Sequence, residues 1–144
     1  MQRDHAVRIP AQQGTDIVDA LIRGYARRAG ALAAATRAYR DTGHALGAVE
    51  EARRALIETE DTLDALGWEL GPRARDFELA GPPAEIREVL YAALLSAAEK
   101  ACNACRDYER ARIGRGMLAT RIADLAALHR LFDAFETADA SDPS

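Results

Sequence analysis

Three groups of residues in this chain have types and spacings that could do chemistry. Cys102 and Cys105 form a Cys-x-x-Cys pair, a spacing that serves redox exchange or half of a zinc site. His129 and Asp133 are four apart on one predicted helix, so they share a face and could bind a metal with a third ligand such as His44. Arg110, Arg112, Arg115 and Arg121 crowd a glycine-bearing turn, Gly114-Arg115-Gly116, where the free amides of a following helix could hold an anion. Arg40 and His44 are expected at the same end and complete the candidate anion-binding set.

Each group also has a plainer reading. The redox use of Cys-x-x-Cys works when the pair opens a helix, because the dipole lowers the thiol pKa. Here about five turns of predicted helix precede it, and no further zinc ligands lie near, so structural thiols are expected. His129 sits between Leu125 and Phe132 on an apolar stripe and is expected as a core-edge histidine bonded to an acid. Glu58, Glu60, Asp61 and Asp64 crowd one helix without a histidine beside them, which reads as a solvated acidic face. No Glu-x-x-His pair of the di-iron kind is present. No catalytic residue, metal or cofactor is assigned.

His44-Ala45-Leu46-Gly47 resembles, over four residues, the phospho-accepting segment of histidine-phosphotransfer modules, which are also four-helix bundles. Their pattern is His-x-Leu-Lys-Gly around an exposed histidine. This chain lacks the lysine, brings the glycine one place early and puts His44 at a helix start. The resemblance implies a relay role for His44; a metal-dependent bundle using His44 or His129 is the other reading of this kind.

The elements that must position these residues are helical. Val18, Leu21, Tyr25, Leu32, Ala35 and Tyr39, then Leu46, Val49, Leu56, Leu63 and Leu70, make an apolar ladder at heptad-like spacing. Leu118, Ile122, Leu125, Phe132 and Phe135 repeat it. Such stripes must be buried against other helices. Thr15 is placed to cap a first helix over about 15–40. Asp41-Thr42-Gly43 breaks it, and a second helix runs over about 43–68, unless the register carries through as one long rod. Gly71-Pro72 and Gly81-Pro82-Pro83 punctuate a long connection, from which Phe77 and Leu79 are expected to tuck onto the bundle end. Pro83 starts a third helix to about 113, with Ile86, Leu90, Ala93, Ala97, Ala101, Ala104 and Tyr108 inward. A fourth follows over about 117–137.

The expected fold is all-α: an up-down-up-down four-helix bundle with a longer connection between helices 2 and 3. It comprises a flexible arm at 1–14, one domain at 15–138 and a tail at 139–144. In that topology the 1–2 and 3–4 turns share one end, where the arginines would gather.

Composition bounds the function. The 144 residues carry a net charge of −4, which argues against general nucleic-acid binding. No apolar run reaches the roughly 20 residues of a membrane span, and the first ten residues lack a signal-peptide core, so a cytoplasmic protein is expected. Hydrophobic residues make up 49% but aromatics only 6%. The core should be thin and alanine-rich, with apolar surface shared with a second chain. The expected function is a non-catalytic interaction or regulatory module that self-associates as a homodimer, with a protein partner or a small anion as further candidates.

Overall fold

A computed structural model describes residues 11–70 and 81–141. It holds four helices: α1 (Ala11–Thr42), α2 (Leu46–Leu63), α3 (Pro83–Glu109) and α4 (Arg115–Ser141). The expected all-helical four-helix bundle with a long second connection is present. The break near Gly43 is real: Gly43 and Ala45 take left-handed φ values of 73° and 69°, so α1 and α2 are two helices rather than one rod.

Boundaries differ in detail. Helix α1 begins at Ala11, so Thr15 lies inside it rather than capping it, and residues 11–14 are helical, not part of a loose arm. Residues 1–10, and Phe77 and Leu79, lie outside the described residues. Helix α3 stops at Glu109, four residues early, because the chain turns through a left-handed Ala111. Helix α4 runs on to Ser141. After Leu63 the chain makes one wider helical turn, Asp64–Trp68, ending at a left-handed Gly67 and Glu69. The Asp64 carboxylate accepts the Leu70 N–H at 2.7 Å and fixes this exit.

The directions of the helices do not alternate. Arg40 meets Glu88, Gly30 faces Cys102, and the start of α1 at Thr15 and Asp19 lies beside Tyr108 and Glu109. Helix α3 is therefore antiparallel to α1, where alternation would make it parallel. Tyr25 with Glu60 sets α2 antiparallel to α1, and Tyr91 with Phe132 sets α4 antiparallel to α3. The order is up-down-down-up. It follows that residues 69–82 join opposite ends of the bundle, and fourteen residues at about 3.3 Å each are long enough to do so.

Around the bundle α1 touches α2 and α3, and α4 touches α3 closely and α2 sparsely. The core is one cluster running from Tyr25, Leu32, Leu56 and Leu63 to Leu94, Leu118, Ile122, Leu125 and Phe132. Small residues let α1 and α3 approach: a Cβ on Gly30 would lie 3.5 Å from the Cys102 sulfur. The inward face of α3 is wider than the expected stripe. It centres on Leu90, Leu94, Ala98, Ala101 and Cys105, while Ile86, Ala97 and Tyr108 lie at its edge, because α3 packs on α1 and α4 at once.

Candidate functional site

The main polar feature is inside the bundle, where α1, α2 and α4 meet. Among the described residues, five polar or charged ones are buried: Thr36, Arg53, Thr59, Glu60 and His129. Three of them come from regular positions on the apolar stripes. On α2 the buried side is Val49, Arg53, Leu56, Glu60 and Leu63, so spacings of four and three carry a charge at every second step. On α4, His129 falls in the same rhythm between Leu125 and Phe132. Heptad geometry thus forces Arg53, Glu60 and His129 inward with their apolar neighbours.

Once inside, they must pair with one another. The Tyr25 hydroxyl donates to Glu60 Oε2 at 2.6 Å. The same oxygen lies 3.4 Å from His129 Nε2. Arg53 Nε donates to His129 Nδ1 at 3.3 Å. Its Nη2 reaches the His129 backbone carbonyl and Asp133 Oδ1, each at 2.9 Å, and its Nη1 reaches Glu50 Oε2 at 3.1 Å. The guanidinium also lies over the Phe132 ring, 4.8 Å from its centroid. Nearby, Arg28 donates to the Thr59 hydroxyl at 2.8 Å.

The hydrogen-bond direction assigns the histidine tautomer. Nδ1 accepts from Arg53, so the ring proton of the neutral imidazole sits on Nε2. That nitrogen is within ion-pair distance of Glu60 but out of line for a hydrogen bond, which leaves it buried without a partner. Electrostatics follow from the burial. Tyr25 is held well above the ordinary phenol range, first by desolvation and then by the charge and hydrogen bond of Glu60. Tyr91, which packs on Phe132, is pushed up to about 12 by burial and by Glu50. The Glu136 carboxyl is raised by desolvation and by Glu50, against a lowering by Arg53.

This arrangement corrects two readings of the sequence. Glu60 is only 5% exposed and does not belong to a solvated acidic face. The acid on the same helix as His129, Asp133, bonds to Arg53 instead; the histidine's carboxylate is Glu60, from α2. The network ties helices together: Arg53 alone joins α2 to three acceptors on α4 and to Phe132.

The sequence-predicted anion residues fall at two places. Arg110, Arg112 and Arg115 are exposed around the 3–4 turn, with Arg115 stacked 4.6 Å from the Trp68 ring centroid. Arg121 is half-buried in a shallow groove with Lys100 and Asp124 between α3 and α4. Arg40 and His44 are at the opposite end, because α3 runs antiparallel to α1. Arg40 is bonded twice to Glu88, at 2.8 and 3.2 Å. His44 is exposed in the 1–2 turn, where its N–H donates to the Thr42 hydroxyl at 3.1 Å. The structure therefore does not gather the six residues, and His44 stands on a turn rather than mid-helix.

Cys102 and Cys105 are free and buried. Burial, with Cys102 and Glu109 adding to it, pushes the Cys105 thiol up to about 12. Among the described residues no group of three or more His, Cys, Asp or Glu is placed to hold a metal ion, and no described helix is long and apolar enough to cross a membrane. Known protein families, curated proteins and solved structures contain no match to this chain.

Proposed function

We propose that this chain is a non-catalytic interaction module that pairs with a second copy of itself through the outer face of α3 and α4. The observation that carries this reading is Val89, an apolar side chain left 65% exposed among the described residues. The contacts of Arg87 with Phe135 and Tyr91 with Phe132 put Val89 level with the last third of α4. Leu128, Leu131 and Phe135, spaced three and four apart along α4, are only half-buried. Ala93 and Ala97 line the adjoining groove with Ser96, Lys100, Arg121 and Asp124, and small residues allow close helix approach.

Charge suits a twofold pairing. Glu85 lies toward the Val89 end of this face, and Lys100 and Arg121 lie farther along it. Two copies related by an isologous axis across the helices set the acidic end of one against the basic end of the other. Exposed apolar patches on soluble proteins mark such contacts.

Light scattering coupled to size exclusion at micromolar concentration tests this. The expected mass is twice 15.6 kDa, and Val89→Arg should return the chain to a monomer without loss of helix content. A wild-type monomer refutes the proposal.

A further inference from the structure

We infer that the Arg53–His129 contact is an acid-sensitive latch between α2 and α4. The lone pair of His129 Nδ1 is the acceptor for Arg53 Nε at 3.3 Å, and Nε2 already carries the ring proton. A proton added to the ring can go only to Nδ1. An imidazolium N–H would then face a guanidinium N–H at hydrogen-bond distance, two donors and two positive charges with no acceptor between them. The contact cannot persist in that state, and Arg53 must withdraw.

Withdrawal matters because of what else Arg53 holds. The same guanidinium binds the His129 carbonyl, Asp133 and Glu50 and lies on Phe132. The His129 carbonyl, Asp133 and Phe132 contacts tie α2 to α4, the sparsest adjacent pairing in the bundle, with Glu60 beside His129 as the other polar contact across it. By contrast, α1 and α3 meet over a long seam of small and apolar residues that contains no histidine. A protonated His129 therefore loosens one seam and spares the other. The device is built of two pieces with distinct arrangements, as a histidine switch requires.

Titratable or charged groups of all four helices lie around the ring. Helix α1 supplies Tyr25, bonded to Glu60, and Arg28, bonded to Thr59. Helix α2 supplies Glu50, Arg53 and Glu60. Helix α3 supplies Tyr91, packed on Phe132. Helix α4 supplies Arg130, Asp133 and Glu136, with Arg130 turned to the Leu70 carbonyl. Glu60 faces Nε2 and attracts an imidazolium, so the ring can hold the proton once Arg53 has left. The carboxylates draw the protonated ring in its new arrangement, whereas in the old one Arg53 faces it directly. Ordinary carboxylates titrate near 4, so a step between pH 7.5 and 5 is separable from acid unfolding.

Hydrogen–deuterium exchange of the full chain at pH 7.5, 6.5, 5.5 and 5.0, corrected for the intrinsic pH dependence of amide exchange, reads the latch. Amides of α2 and the second half of α4 should lose at least ten-fold in protection between pH 7.5 and 5, while those of α1 and α3 around Gly30 and Cys102 change less than three-fold. His129→Gln offers an acceptor to Arg53 and a donor to Glu60 but takes no proton, and its α2 and α4 protection should not depend on pH over this range. Imidazole ¹⁵N shifts of the wild-type chain give a second readout that needs no variant: Nε2–H at pH 7.5, and gain of the Nδ1 proton together with the loss of protection. Equal protection at pH 7.5 and 5, the same loss in His129→Gln, or a ring that protonates while α2 and α4 stay protected each overturns the latch. Loss of protection along all four helices together overturns it as well. A dimerisation test that fails leaves these outcomes unaffected, since the latch lies within one chain.

Discussion

Tyr25→Phe removes one oxygen from the centre of the bundle and nothing else. Tyr25 is fully buried and Glu60 nearly so, and the 2.6 Å contact between them is a short hydrogen bond on the Glu60 carboxylate. The ring of the variant keeps its packing, so the cavity term is small. What is lost is a hydrogen bond to a buried charge, about 1.5–3 kcal/mol. We therefore expect a loss of about 2 kcal/mol, which in a chain of this length lowers Tm by about 8 °C. Urea denaturation at pH 7 should show the midpoint falling at unchanged slope. Glu60→Leu as the second arm of a double-mutant cycle should give a coupling of about 1.5–3 kcal/mol, because with the carboxylate gone the hydroxyl has no charge to serve. The pH profile adds a sign. In the folded chain Tyr25 holds its proton well above the ordinary value of 10.0, whereas the unfolded chain releases it there. Its contribution is thus complete below about pH 10 and is lost as pH rises beyond it. The alkaline fall in stability should be shallower in Tyr25→Phe, with Tyr91 and Cys105 supplying what remains. A loss under about 0.5 kcal/mol, or additivity of the two substitutions, refutes the reasoning about this hydrogen bond.

Two other outcomes follow from the same burial. The thiols of Cys102 and Cys105 should resist an aromatic disulfide reagent at pH 8 in the native chain and both react in denaturant, since thiolate is the reactive form and Cys105 is pushed up to about 12; fast native reaction of both counts against a closed core. Glu136 has a raised carboxyl pKa, so its ionisation costs the folded state stability at pH 7, and Glu136→Gln should raise Tm at pH 7 with the gain vanishing as pH falls below 4; a Tm lowered at pH 7 contradicts this.

The fold class was legible because apolar residues recur at helical spacing and proline and glycine punctuate between them. The polar network was half legible. The spacing Val49, Leu56, Leu63 shows one rung per heptad, and the intervening rung, which completes a seam, is Arg53 and Glu60. Reading only apolar residues hides a charge that geometry must bury. His129 was visible because its neighbours Leu125 and Phe132 are apolar, but its partners are 69 and 76 residues away in sequence, and contacts of that range depend on which helices adjoin. Spacing along one helix pointed to Asp133, while the fold supplies Glu60 and Arg53 instead. The exposed arginines carried no packing signal at all, so their grouping rested wholly on an assumed order of helix directions.

That order turns on the long connection and on charge. Tight turns make α1 antiparallel to α2 and α3 antiparallel to α4, whatever their charges. The connection over 69–82 is long enough to return to either end, so it leaves the direction of α3 open. Along α1 the charges run from Asp16 and Asp19 to Arg37 and Arg40, and along α3 from Glu85 and Glu88 to Arg106 and Arg110, each with its own macrodipole. Side by side, two such helices set unlike charges together only when antiparallel, as Arg37 with Glu99 and Arg40 with Glu88 do. Helix α4 runs the other way, from Arg115 and Arg121 to Asp133 and Glu136, so antiparallel to α2 it brings Asp133 to Arg53. Exposed pairs are worth only about 0.2–1 kcal/mol each, too little to hold a fold together. Between two directions that bury similar apolar area, however, a difference of about 1.4 kcal/mol is a tenfold preference. The distribution of acids and bases along each helix, rather than the sum at any one end, is thus where the sequence encodes which way the third helix runs.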